Sequence, residues 1–259
     1  MNQKNKGILC IIASAFFFAL MSIFVKKAGN LPAVEKSFFR NFVAMIFAAI
    51  MLYKNKIPLV IGKGNGIPML LRVTFGTIGV FCNFYAVDHL IVADASILNK
   101  LSPFFAIVFS IIILKELPKR YQIFCLFLAL FGCLLVVKPG FAGAETSGML
   151  AGITGGMTAG AAYTMVRVLG SRGVKGPVIV FCFSSFSCLI SLPLILLFYH
   201  NPMSIYQFCM LMLAGLSAAG GQFTITAAYT YAPAKEISIF DYSQIIFSTL
   251  MGFFFFGEM

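Results

Sequence analysis

The chain has no tryptophan and only eight acidic residues in 259, and no stretch of it is long and polar enough to form a soluble domain. Charged residues make up 10%, against roughly a quarter in a soluble globular protein, while 60% are hydrophobic and mean hydropathy is +0.97. Also lacking is the in-out alternation that a membrane barrel requires, which leaves α-helices as the spanning elements. With no Trp, Phe and Tyr must supply any interfacial aromatic belt. The two histidines have no metal-ligand spacing around them, no Ser or Cys has a base nearby in sequence, and no Walker-type phosphate loop is present. These gaps argue against an enzyme, a metal centre, a bound cofactor and ATP hydrolysis by this chain.

What is there is a succession of apolar runs, each long enough to cross roughly 30 Å of hydrocarbon as a helix. Nine spans are read at 7–25, 37–53, 67–87, 93–114, 121–138, 148–168, 177–198, 205–231 and 236–256. The fold class expected is therefore an all-α polytopic membrane protein. The first run follows a basic flank but is too long for a signal peptide and has no small-residue cleavage site, so it reads as a retained helix. All seven cysteines fall within spans and read as small apolar residues. A formal charge of +11 could suit nucleic acid, but the basic residues lie mostly between spans, so no nucleic-acid partner is expected. With the amino terminus in the cytoplasm, 13 of the 19 Lys and Arg fall on the inner side, Arg72 and Arg167 among them, which favours that orientation in the cell membrane.

An internal repeat organises the chain. Laying "ADASILNKLSPFFAIVFSIIILKE" (93–116) over "KEISIFDYSQIIFSTLMGFFFFGE" (235–258) at an offset of 142 pairs Asn99 with Asp241, Ser102 with Gln244 and Glu116 with Glu258. Gly7 pairs with Gly148 and Lys26 with Arg167 at an offset of 141. Asn99, Ser102, Ala106 and Ser110 share one helical stripe, as do Asp241, Gln244, Ser248 and Gly252. Five spans is an odd number, so a second unit starts on the opposite side of the membrane and the halves, 1–140 and 141–259, are inverted. The second half shows four spans, and a tenth helix is expected to be missing after Glu258.

Charge at bilayer depth is costly, so Asp241 requires a partner or a wet cavity. Its position along the ninth span places it near the inner end, and inverted symmetry places Asn99 and Lys100 near the outer end, which suggests two gates flanking a cavity. Gln222, Thr226 and Tyr229 form a polar stripe on the eighth span; Tyr163 and Arg167 on the sixth and Asn83 and Tyr85 on the third complete a candidate lining, with Tyr242 beside Asp241. Arg167 reads as a snorkelling helix-end residue, and Arg40 and Asn41 as interfacial. Gly152, Gly156 and Gly160, with Gly76 and Gly79, read as close-packing positions, and Pro103 as a kink in the fourth span.

These two aligned stretches, together with "KSFFRNFVA" in the second span, resemble the EamA family of the drug/metabolite transporter superfamily over essentially the whole chain. The resemblance implies ten spans in two inverted five-helix repeats, a central cavity and transport without ATP hydrolysis. "FFRN" with "DYSQ" is most similar to the branch that includes S-adenosylmethionine uptake carriers. The function expected is secondary transport of a small polar metabolite, an amino acid or an amino-acid-containing compound. A non-transporting membrane subunit and a cationic-drug exporter are the alternatives. A coupling proton or ion and a homodimer are left open.

Overall fold

The computed structural model describes residues 2–29, 31–90, 92–137, 145–198 and 203–256. Its elements are α1 (Gln3–Ala28), α2 (Ala33–Lys54), α3 (Gly66–His89), α4 (Val92–Asn99), α5 (Ser102–Leu114), α6 (Arg120–Val137), α7 (Thr146–Ser171), α8 (Gly176–Phe198), α9 (Ile205–Tyr231), α10 (Ala234–Ile237), a 3-10 turn (Ser238–Tyr242) and α11 (Ser243–Phe256). No strand occurs among the described residues. Seven segments are long and apolar enough to cross a membrane; α7, rich in Gly and Thr, adds 26 residues, about 39 Å of helix. The protein is an all-α polytopic membrane protein. Large apolar side chains such as Phe124, Leu189, Leu197 and Phe254 face outward, as lipid-facing positions should. Cys209 is exposed among them and only Cys188 is buried, so the cysteines are not uniformly interior; Cys133 lies outside the side chains described.

Two spans are interrupted. The fourth consists of α4 and α5, broken at Lys100 and Leu101, so Pro103 does not kink a continuous helix but stands in the first turn of a new one, where its missing N–H costs nothing. The ninth enters through α10 and the 3-10 turn before α11 begins.

Packing comes in matched pairs. α1 lies on α9 and α3 on α7; α5 lies on α7 and α11 on α1; α3 meets α8 and α9 meets α2; α2 meets α8. Specific contacts follow the same correspondence. A Cβ on Gly7 would meet Ala232 and one on Gly148 would meet Leu90, positions the two offsets relate. The small-residue face of α7 serves as the sequence suggests: Gly152 abuts Leu98, Gly156 abuts Leu98 and Leu101, and Gly160 abuts the Ser102–Ala106 backbone.

Candidate functional site

The interruptions bring together two residues that sequence reasoning set at opposite ends. Lys100 and Asp241 are not separate gates: the Lys100 ammonium donates to Asp241 Oδ2 at 3.1 Å, to the Asp241 carbonyl at 3.2 Å and to Gln244 Oε1 at 2.7 Å. Each break lies roughly 10 Å into its span from opposite faces, so only about 10 Å of a 30 Å core separates them, and the lysine side chain reaches across. The Tyr242 hydroxyl donates back to the Lys100 carbonyl at 3.0 Å, the carbonyl exposed by the break. Positions 100 and 242 are equivalent at the offset of 142, so the contact joins matching points of the two halves.

Both charged side chains are 8% exposed. All three ammonium protons have acceptors, which is what makes a buried pair tolerable at this depth.

Around this cluster lie most of the other residues expected. Asn99 donates to Asn83 at 2.7 Å, tying α4 to α3. Tyr163 and Tyr229 stack with centroids 4.9 Å apart and planes 8° from parallel. Gln222 Nε2 donates to Thr226 Oγ1 at 3.2 Å within α9. Tyr163 stands within electrostatic range of Asp241, Arg40 and Arg72. Tyr163 and Arg40 are both part-buried.

Three expected residues stand apart. Tyr85 is exposed, stacked on His89 at 3.9 Å, and its hydroxyl donates to Ser147 at 3.4 Å. Ser102 is buried where α5 crosses Gly156 and Gly160, and Ser248 is partly buried on α11 two turns past Asp241.

Three arginine or amide readings require correction. Arg40 and Asn41 are not interfacial: Asn41 is buried and donates to Ser187 at 2.8 Å, and Arg40 turns inward toward Gln222. Arg72, counted among the inner-side charges, is buried inside the bundle. Sequence reasoning missed it because it sits near a span end, where a snorkelling residue would also stand; the signal was Gly76 one turn later, which clears room for the guanidinium.

Arg167 does not snorkel. Its Nε and Nη2 donate to Glu116 Oε1 at 3.2 Å each, and Nη1 donates to the Thr230 carbonyl at 3.2 Å. Beside it Lys235 donates to the Leu117 carbonyl at 2.9 Å. Arg167 is one turn from Tyr163, and Thr230 adjoins Tyr229, so this latch ties the segment after α5 to α7 and α9 close to the tyrosine stack. The two side chains are 20% and 21% exposed, so water still reaches the pair. In a cysteine-cleared background, Arg167→Gln is expected to raise the maleimide labelling rate of Thr226→Cys several-fold; an unchanged rate would mean that the latch does not close this end.

A multi-helix membrane fold with a buried ionic cluster where two broken spans meet defines a polytopic transporter-type protein. Residues 5–138 match the EamA-like transporter family, and the chain belongs to that family. It is 30% identical to the pseudopaline exporter CntI of Pseudomonas aeruginosa over 98% of this chain and 89% of that one. It is also 30% identical to solute carrier family 35 member G1 of Mus musculus, over 98% of this chain and 72% of that one. A solved crystal structure shares the fold, with a TM-score of 0.82 at 14% identity, over 96% of this chain and 88% of that chain. Membrane transport is thus the activity of the family to which the chain belongs, with a small molecule as cargo and the lipid bilayer as its surroundings.

Proposed function

We propose that the chain is a secondary transporter of a small polar metabolite, working by alternating access between halves 1–140 and 141–259, with the amino terminus cytoplasmic in the cell membrane. The observation that carries this reading is the Lys100, Asp241 and Gln244 cluster, which joins the two broken spans inside the bundle. Interrupted helices meeting near mid-depth leave polar groups that can be offered to a solute, and rocking of one half against the other would make and break the contact. The matched packing of α1 on α9 and α3 on α7 supports the two-half division; its boundary near 140 lies outside the described residues.

The cargo favoured is an amino acid or an amino-acid-containing compound, since the Lys100 and Asp241 pair can exchange partners with an ammonium and a carboxylate. S-adenosylmethionine and pseudopaline belong in the first panel, the latter because the Pseudomonas aeruginosa relative is named as its exporter. Proteoliposome flux of amino acids and these two compounds, measured in both directions, tests the reading. Asp241→Asn and Gln244→Ala are each expected to abolish the flux seen with the unaltered chain. Full flux in both would remove the cluster from the transport path.

A further inference from the structure

Among the described residues, two cations in the interior have no carboxylate partner. Arg72, on α3, is 2% exposed; its Nε has no hydrogen-bond partner, and its guanidinium lies 4.2 Å from the Phe183 ring centroid. Arg40, on α2, reaches only neutral amides, Asn41 Oδ1 at 3.4 Å and Gln222 Oε1 at 3.5 Å, both beyond the usual hydrogen-bond length, and faces Phe18 at 5.8 Å.

Four of the described acids are committed elsewhere. Asp241 is held by Lys100, Glu116 by Arg167 and Asp88 by Lys36 at 2.8 Å. Glu145 bonds Ser147 on the far rim. Glu35 is buried in the first turn of α2 with Oε2 unpartnered, and neither it nor Glu236 lies within ion-pair distance of either arginine. The side chains of Asp94 and Glu258 lie outside those described.

A guanidinium cannot escape by losing its proton, and a cation-π contact offsets only part of the cost of burying it. The chain nevertheless makes room for one. A side chain at Gly76 would collide with Arg72 Nη1 and lie 2.7 Å from the Phe183 ring, so the glycine is what lets Arg72 lie where it does. Arg40 enters from the face where α2 begins and Arg72 from the face where α3 begins, each about 10 Å deep, and both stand within electrostatic range of Tyr163.

We propose that Arg40 and Arg72 form an oxyanion subsite inside the bundle, so that the transported solute carries a carboxylate or phosphate group which these guanidiniums bind. The inference rests on the transport reading and narrows its substrate class. Planar guanidiniums match the oxygens of such groups in a bidentate manner, and an incoming anion supplies the counter-charge that the described residues withhold. Lys100, already neutralised by Asp241, is left to read the rest of the solute.

The test uses the full chain in detergent with three probes at matched ionic strength: succinate, inorganic phosphate and the neutral succinamide. Succinate or phosphate is expected to raise the thermal unfolding midpoint with saturation, because a bound ligand stabilises the fold, while succinamide does not. Whichever anion saturates at the lower concentration assigns the group. Arg40→Gln and Arg72→Gln are each expected to raise the half-saturating concentration tenfold or more, the loss of a charge-assisted hydrogen bond. Arg72→Lys, which keeps the charge but loses the fork, serves if Arg72→Gln does not run as a single folded peak on size exclusion. Equal response to succinate and succinamide, no response to either anion, or unchanged saturation in Arg40→Gln overturns the subsite. Flux in proteoliposomes separates the two readings. Carboxylate- or phosphate-bearing solutes moving at the unaltered rate in Arg40→Gln and Arg72→Lys would leave transport standing and the subsite refuted, whereas no flux of any solute through the unaltered chain would refute transport whatever the midpoints show.

Discussion

Lys100→Met alone is expected to destabilise the folded protein by about 3–5 kcal/mol, because it strands the Asp241 carboxylate in a site from which water is largely excluded. Asp241→Asn alone strands the ammonium in the same way, though Gln244 and the Asp241 backbone carbonyl remain as acceptors for it, so its cost should fall at the lower end. The double variant Lys100→Met, Asp241→Asn removes both charges and should lose markedly less than the sum. A double-mutant cycle read by thermal unfolding in detergent should give a coupling of about 1–3 kcal/mol between the two sites. Additivity within about 0.5 kcal/mol would show that the pair is not formed in the protein as it stands in the membrane. The cycle also separates structure from transport: a double variant that folds well yet carries no solute places the pair in the transport path and not merely in the scaffold.

Gly160→Val should be the most damaging change on α7. A Cβ at Gly160 would lie 2.7 Å from the Ala106 nitrogen, 2.7 Å from Phe105 Cβ and 2.8 Å from the Ser102 carbonyl oxygen. Two of these three atoms are backbone, which no rotamer change can move, so α5 must shift as a body and carry Lys100 with it. Overpacking of this kind costs about 3 kcal/mol or more, and loss of the folded peak on size exclusion is the expected result. Gly132→Ala on α6 is the matched control. Nothing lies within 4 Å of a Cβ there, and removing a mid-helix glycine should stabilise by about 0.5–1 kcal/mol. A Gly160→Val protein as stable as the control variant would mean that α5 and α7 are not in contact.

The reach of the sequence can be followed residue by residue. The span read at 205–231 coincides with α9, and the others match their helices within a few residues, because a bilayer core demands about 20 apolar residues of helix and that length is written directly in the chain. The stripe of Asn99, Ser102, Ala106 and Ser110 was legible because helical periodicity is local; three of its members are buried against neighbours, and Asn99 binds Asn83. The break at Lys100 was not legible, since Pro103 is compatible with both a kinked helix and a new first turn. Depth could be estimated by counting residues, but lateral reach could not. Two groups about 10 Å apart along the membrane normal read as two gates until a lysine side chain is seen to close the gap.

By itself, then, the sequence determined that this is a polytopic helical membrane protein, where its helices lie, and that its halves carry polar residues at related positions, since hydropathy and spacing are properties of a single segment. Only the tertiary structure decided which of those residues meet. Whether Lys100 pairs with Asp241, Arg167 latches onto Glu116, and Arg40 and Arg72 stand apart from the described carboxylates depends on which faces of α2, α3, α5, α7 and α9 turn toward one another. That rotation is set by close packing at glycines such as Gly76, Gly156 and Gly160, whose effect is felt only when another helix is brought against them.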